Sequence, residues 1–412
     1  MASIGWIDFS RTHRDKVGAA LDLLKPDGMV DELGLGSLRD GMANKMFPGI
    51  STIQTRAKYF FIIPYILYEF QQLINSGKAR GKSASKYLEQ REYEIMWQLY
   101  EQYKDIKSSG VIGATRPKPM KIVRRPSAIY WNGLNMYNFI NSGGLSAEAF
   151  LRKAVNGEFE SLLSQASGTD EPNDDADAEH DNIFKLKIVP AKNWDKSIRL
   201  DLLTDEADFL CNNILSKAKG KLISELLNVP EIWDVFYSSN NFMEFAQAVQ
   251  PLKIDENIKE EIILAHDFSE LMYGAHITYN CLLQENKFGG NFYEDDWNQW
   301  IEGLPNNMIS YKQFDLDRLL SYSLHTRKST VAFVKNWLDF VYNSGSDLKR
   351  RNALVAEQEF NVKRNKARVR YKKLDDVKEE VWIGFQYLEY RFRNTRTIIN
   401  DVNSGLKNNV TS

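Results

Sequence analysis

Six residues able to hold a proton, a metal or an anion fall within twenty-six positions. Asp31, Glu32, Arg39 and Asp40 lie in VDELGLGSLRDGM, and Gln54 and Arg56 in FPGISTIQTRAKYF. Ser51 and Gln54 have the spacing of a capping box, in which a serine hydroxyl and a glutamine side chain satisfy the first helical amides. This predicts a helix from about Thr52. Arg56 would then sit near the positive end of that helix, just ahead of an apolar run, and needs a carboxylate or a phosphate. Asp31, Glu32 and Asp40 are its nearest acids. The leading expectation is an internal clasp built from Arg39, Ser51, Gln54, Arg56 and Lys58. Two alternatives stand beside it. In one, the amides of Ser51–Ile53 with Arg56 and Lys58 receive a phosphate. In the other, Asp31, Glu32 and Asp40 hold a divalent metal and activate water for a nuclease or another hydrolase.

The second concentration of chemistry is basic. Residues 349–373 carry ten cations against Glu357 and Glu359. They are Lys349, Arg350, Arg351, Lys363, Arg364, Lys366, Arg368, Arg370, Lys372 and Lys373. Read as one helix over 346–370, they make a broad cationic face whose like charges repel unless a polyanion or acids offset them. Residues 109–126 add a Gly/Pro-punctuated loop with Arg116, Lys118, Lys121, Arg124 and Arg125 and no acid. The opposite charge is concentrated in 166–182, ASGTDEPNDDADAEHDN, whose seven acids turn a formal −2 for the chain into +5 for the rest. That segment reads as a disordered loop. It could pair with the basic stripe, as a solvated-face reading requires, or act as a DNA mimic in a pure adaptor.

Several classes are disfavoured. Two cysteines, Cys211 and Cys281, cannot staple a secreted scaffold, and with five histidines a zinc site is not expected. A reducing cytoplasm fits this usage, and no signal peptide is visible. The most lipid-like run, YFFIIPYILY, is ten residues with a proline, half of what spans a bilayer. It reads as a buried, kinked helix. GKSAS at 81–85 lacks the spacing and the preceding strand of a phosphate loop. His266 and Glu270 share a helix face, but without a matched Glu-x-x-His the simpler reading is a histidine bonded to a neighbour. No cofactor is expected.

These residues must be positioned mainly by helices. Periodicity and capping predict helices at about 52–77, 83–106, 126–140, 146–156, 204–220, 257–286, 328–343, 346–370 and 374–403, with Ser127 capping the third. Short strands are expected at 3–10 and 183–190. The fold class is mainly α, with minor β. An N-terminal helical module (1–165), the acidic loop (166–182) and a C-terminal helical module (183–412) follow.

GWIDFS, VDELGLGSLRDGM, FPGISTIQTRAKYF, RRPSAIYWNGL and GFQYLEYRFRNTRTIINDV together resemble a bacterial family of unknown function, over nearly the whole chain. Arg125 stands where the family pattern has a leucine. The resemblance implies a place in anti-phage defence islands, beside helicase and phospholipase-D-like nuclease proteins, and identifies no catalytic residue. Taken with the basic stripes, the expectation is a non-catalytic defence component that binds DNA or docks on such a partner.

Overall fold

Helices supply every regular element of the structure, a computed structural model that describes residues 31–407 apart from 107, 114–121, 156–183, 185, 291, 305–310 and 345. The expected strand at 3–10 and the acidic segment 166–182 lie outside the described residues. In chain order the helices are α1 (Gly36–Met46), α2 (Tyr59–Asn75), α3 (Ala84–Tyr103), α4 (Pro126–Met136), α5 (Ala147–Val155), α6 (Thr204–Lys217), α7 (Leu222–Asn228) and α8 (Pro230–Ser238). There follow α9 (Phe242–Ala248), α10 (Glu256–Phe288), α11 (Glu294–Gly303), α12 (Leu316–Ser321), α13 (Lys328–Ser344), α14 (Leu348–Lys363), α15 (Arg368–Tyr371) and α16 (Phe392–Lys407). No strand occurs among the described residues, and the mainly-α reading holds. Residues 186–190 form an irregular segment; Lys187 N–H reaches Phe139 O at 3.4 Å, a loop contact rather than a ladder.

The described residues divide into two compact units. Residues 46–241, 251–254 and 391–407 form one, referred to below as the α2 unit. Its core is aromatic: Phe60 of α2 meets Tyr130 of α4 edge-on at 4.9 Å, and Phe61 meets Phe139 at 5.1 Å. The apolar run that begins at Tyr59 is buried, with Pro64 inside α2. α6 and α16 approach so closely that a Cβ on Gly405 would stand 2.7 Å from that of Ala207. On α3, Leu88, Ile95, Met96 and Leu99 are buried as the periodicity requires, but Ile106 lies beyond the helix end and is exposed.

Residues 31–45, 242–250 and 255–390 form the α10 unit. α10 itself is 33 residues, about 50 Å at helical rise. Asp255 starts it by accepting from the Asn257 and Ile258 amides, and Gly289 ends it at φ +73°. Many of its buried residues are polar. Residues 374–390, expected to be helical, instead run as an irregular strap along α10. Ile383 N–H donates to Asn280 Oδ1 at 2.8 Å and Leu388 N–H to Ser269 Oγ at 2.8 Å. Gln284 Nε2 donates to Lys378 O at 2.9 Å, and His276 Nδ1 lies 2.9 Å from Gln386 O. The polar side chains of α10 thus satisfy the backbone of the strap. The C-terminal helix begins only at Phe392.

Candidate functional site

In the α2 unit, the segment before α2 is not helical. Gln54 still receives the Ser51 amide at 3.1 Å, half of the expected capping box, while its Nε2 donates to Gly49 O at 3.0 Å. The next amides are taken by distant groups. Thr55 and Arg56 N–H donate to the Tyr130 hydroxyl at 2.8 and 3.1 Å, and Ala57 N–H to Asp401 Oδ2 at 2.8 Å. These contacts delay the helix to Tyr59. Arg56 does sit in an internal clasp, but with other partners than Asp31, Glu32 or Asp40. Its Nε lies 3.0 and 2.9 Å from the two oxygens of buried Asp401, its Nη2 3.1 Å from Asp201, and its Nη1 donates to Ser109 O. Lys58, also buried, contacts both oxygens of Glu206 at 2.7 and 2.6 Å, and Tyr65 donates to the same carboxylate. Both cations of the expected phosphate site are therefore occupied by the protein's own acids, and no helix starts at Ser51 to supply amides.

In the α10 unit, the three early acids make three separate structural contacts. Asp31 accepts the Gly36 amide. Asp40 accepts from Arg39 at 2.9 and 3.1 Å, and the Arg39 guanidinium lies 4.7 Å over Phe385. Glu32 is buried and bonds Lys363 through one oxygen and Arg368 Nη1 at 3.1 Å through the other. The Tyr279 hydroxyl lies 2.8 Å from Glu32 and 3.1 Å from Glu359. Among the described residues no three His, Cys, Asp or Glu side chains assemble as a metal ligand set.

The basic stripe is broken rather than continuous. α14 ends at Lys363, and a 3₁₀ turn (Arg364–Lys366) leads into the four-residue α15. Glu359 holds the break by accepting the Arg368 and Val369 amides at 2.7 and 2.9 Å, and burial pushes its carboxyl up in spite of them. The ten cations separate by burial into three groups. Arg351, Lys363 and Arg368 are buried. Arg351 grips Glu294 in a two-point pair at 2.7 and 3.0 Å beneath Trp297, and Arg368 adds Asp376 at 2.5 Å to Glu32. Half-buried Arg350 pairs with Asp339 at 2.5 Å. Lys349, Arg364, Lys366, Arg370, Lys372 and Lys373 are exposed.

Three of the exposed cations gather on an aromatic pair. Phe360 and Tyr371 meet edge-on at 6.2 Å, and Tyr371 is 49% exposed. The Arg364 and Arg370 guanidinium groups lie 5.6 and 4.0 Å over Phe360, and Lys373 Nζ lies 6.0 Å over Tyr371 while donating to Asn365 O. Arg364 and Lys372 adopt φ of +52° and +50°, in the region that favours glycine. In the other stripe, Arg124 is exposed, but Arg125 pairs with Glu92 at 3.1 Å. Glu92 also takes the Ser127 amide and hydroxyl, so a carboxylate from α3 caps α4 in place of the expected Ser127 side chain. Burial pushes the Glu92 carboxyl up to about 7. Sequence reasoning had no signal for Asp401, Glu206, Tyr130 or Glu92 as partners, because each pairing is tertiary.

Fold and site together define an all-α protein whose early charged motifs are internal braces and in which three exposed cations, Arg364, Arg370 and Lys373, gather on an aromatic pair. Residues 1–396 match the family described as "Family of unknown function (DUF6361)", and the chain belongs to it. No curated protein and no solved structure matches the chain. No helix among the described residues is long and apolar enough to cross a membrane.

Proposed function

We propose that this protein is a non-catalytic, cytoplasmic component of a bacterial anti-phage defence system, and that it contacts DNA through the basic–aromatic patch around Phe360 and Tyr371. The carrying observation is that patch: three cations stacked on two touching rings, one ring half exposed, directly after the braced end of α14. Cations there can neutralise phosphates, and the exposed ring offers a face to an unpaired base. Arg351, Lys363 and Arg368 leave this reading as structural residues. Lys349, Arg364, Lys366, Arg370, Lys372 and Lys373 remain as the exposed cations of this stretch. The defence setting, with a helicase or phospholipase-D-like nuclease as neighbour, rests on the sequence resemblance alone. Fluorescence anisotropy with a labelled single strand and a labelled duplex, across a salt series, tests the DNA contact. Affinity should fall linearly on a log–log salt plot, with the single strand preferred. Absence of binding at low salt would overturn it.

A further inference from the structure

A second feature of the α10 unit lies outside the patch and outside the early motifs. It is a cleft of ≈ 360 Å³ lined by side chains of α10 and α11, by Tyr311 and by Tyr387 of the strap. That volume suits a small ligand. Its chemistry has one sign. Glu270 and Asp296 contribute carboxylates, and no lysine or arginine is among the described lining residues. His266 Nδ1 lies 3.0 Å from Asp267 Oδ1, and its buried Nε2 has no hydrogen-bond partner among the described residues. The walls are aromatic. Tyr273 and Tyr387 stack with ring centroids 4.1 Å apart, and Trp382 continues the stack at 5.9 Å. Trp300 is fixed by donating its indole N–H to Glu270 O at 3.2 Å, and it lies so close to α10 that a Cβ on Gly274 would meet the ring at 2.2 Å.

We propose that this cleft binds an organic cation, an alkylammonium or guanidinium group, held by the Glu270 and Asp296 carboxylates and by the faces of the surrounding aromatic rings. Such a group is all donor, and the cleft presents acceptors and π faces; burial between carboxylate and ring is the arrangement in which cation–π attraction is largest. Burial pushes the Glu270 carboxyl up, opposed by His266, so a bound cation would restore the solvation that Glu270 has lost. The cation is either a free small amine or the side chain of a lysine or arginine on a partner peptide, and the two are separable.

Isothermal titration calorimetry of the full-length protein tests this with 1,4-diaminobutane, agmatine and Nα-acetyl-arginine methylamide, against n-butanol and Nα-acetyl-citrulline methylamide as neutral counterparts. At least one cation should bind about tenfold or more tightly than its neutral counterpart. A preference for the diamine or agmatine marks a free metabolite, and a preference for the capped arginine marks a partner side chain. Glu270→Gln should weaken the preferred cation about tenfold, and Glu357→Gln on α14 should not change it. If Glu270→Gln lowers the melting temperature so far that it cannot be titrated, Asp296→Asn at the exposed edge carries the same expectation. No cation binding, equal binding of the neutral counterparts, or unchanged affinity in the titratable variant would overturn the proposal. None of these results bears on DNA binding at the Phe360–Tyr371 patch.

Discussion

Arg56 and Glu32 each leave a buried charge stranded if removed. Arg56→Ala would strip Asp401 of its two-point partner and leave only the Ala57 amide, so we expect a loss of about 3–5 kcal/mol in urea unfolding. Arg56→Lys should recover only part of this, because one ammonium cannot reach Asp401, Asp201 and Ser109 O together. Glu32→Gln leaves Lys363 and Arg368 short of their shared carboxylate and should cost a similar amount. His276 makes the pH prediction. Burial pulls it down to about 4, and its ring faces Gln386 O and the Phe385 ring. A folded value below the unfolded 6.5 means that stability is complete above 6.5 and lost as pH falls towards 4, by roughly 3 kcal/mol in all. NMR of labelled histidine should show His276 neutral down to about pH 4; titration near 6.5 would refute the assignment. The need of Arg56 for a carboxylate was legible from its place ahead of an apolar run. Which carboxylate was not, because Asp401 is 345 positions away and no local pattern encodes that pairing.

At the scale of elements, α10 shows what a sequence can and cannot specify. Its ends were readable because Asp255 and Gly289 act through their own neighbours. The strap at 374–390 was not. Val377, Val381, Leu388 and Phe392 repeat at near-helical intervals, so periodicity favours a helix. The outcome is decided by bonds from Ser269, Asn280 and Gln284 to the strap backbone, together with backbone at φ +84° at Gly384 and +44° at Tyr390. Asn280→Ala should therefore cost about 2 kcal/mol and expose the Ile383 amide to hydrogen exchange, with α10 amides unaffected. Equal protection at Ile383 in both proteins would show that the strap stands without that bond. The break after α14 has the same origin. The basic residues of 346–370 have helix-compatible propensities, but Lys363 and Arg368 are both drawn inward to Glu32, and Glu359 starts α15 from the side. Lys372→Gly removes a side chain from φ +50°, so it should raise stability by up to about 1 kcal/mol while lowering DNA affinity.

For the molecule as a whole, the formal charge of −2 says little about partners, because the charges are segregated along the chain. Of the ten cations between Lys349 and Lys373, three are committed to buried pairs, so a count of basic residues overstates the surface available to a polyanion. The claim that matters is that the exposed cations gathered on Phe360 and Tyr371, namely Arg364, Arg370 and Lys373, meet phosphate. Comparing the salt dependence of single-strand binding in wild type and in Arg364→Ala/Arg370→Ala tests it most directly. Each lost phosphate contact should flatten the slope of log affinity against log salt by about 0.7, so the double variant should lose roughly 1.4 and bind more weakly at low salt, with its melting temperature unchanged. An identical slope and affinity in the two proteins would contradict the account.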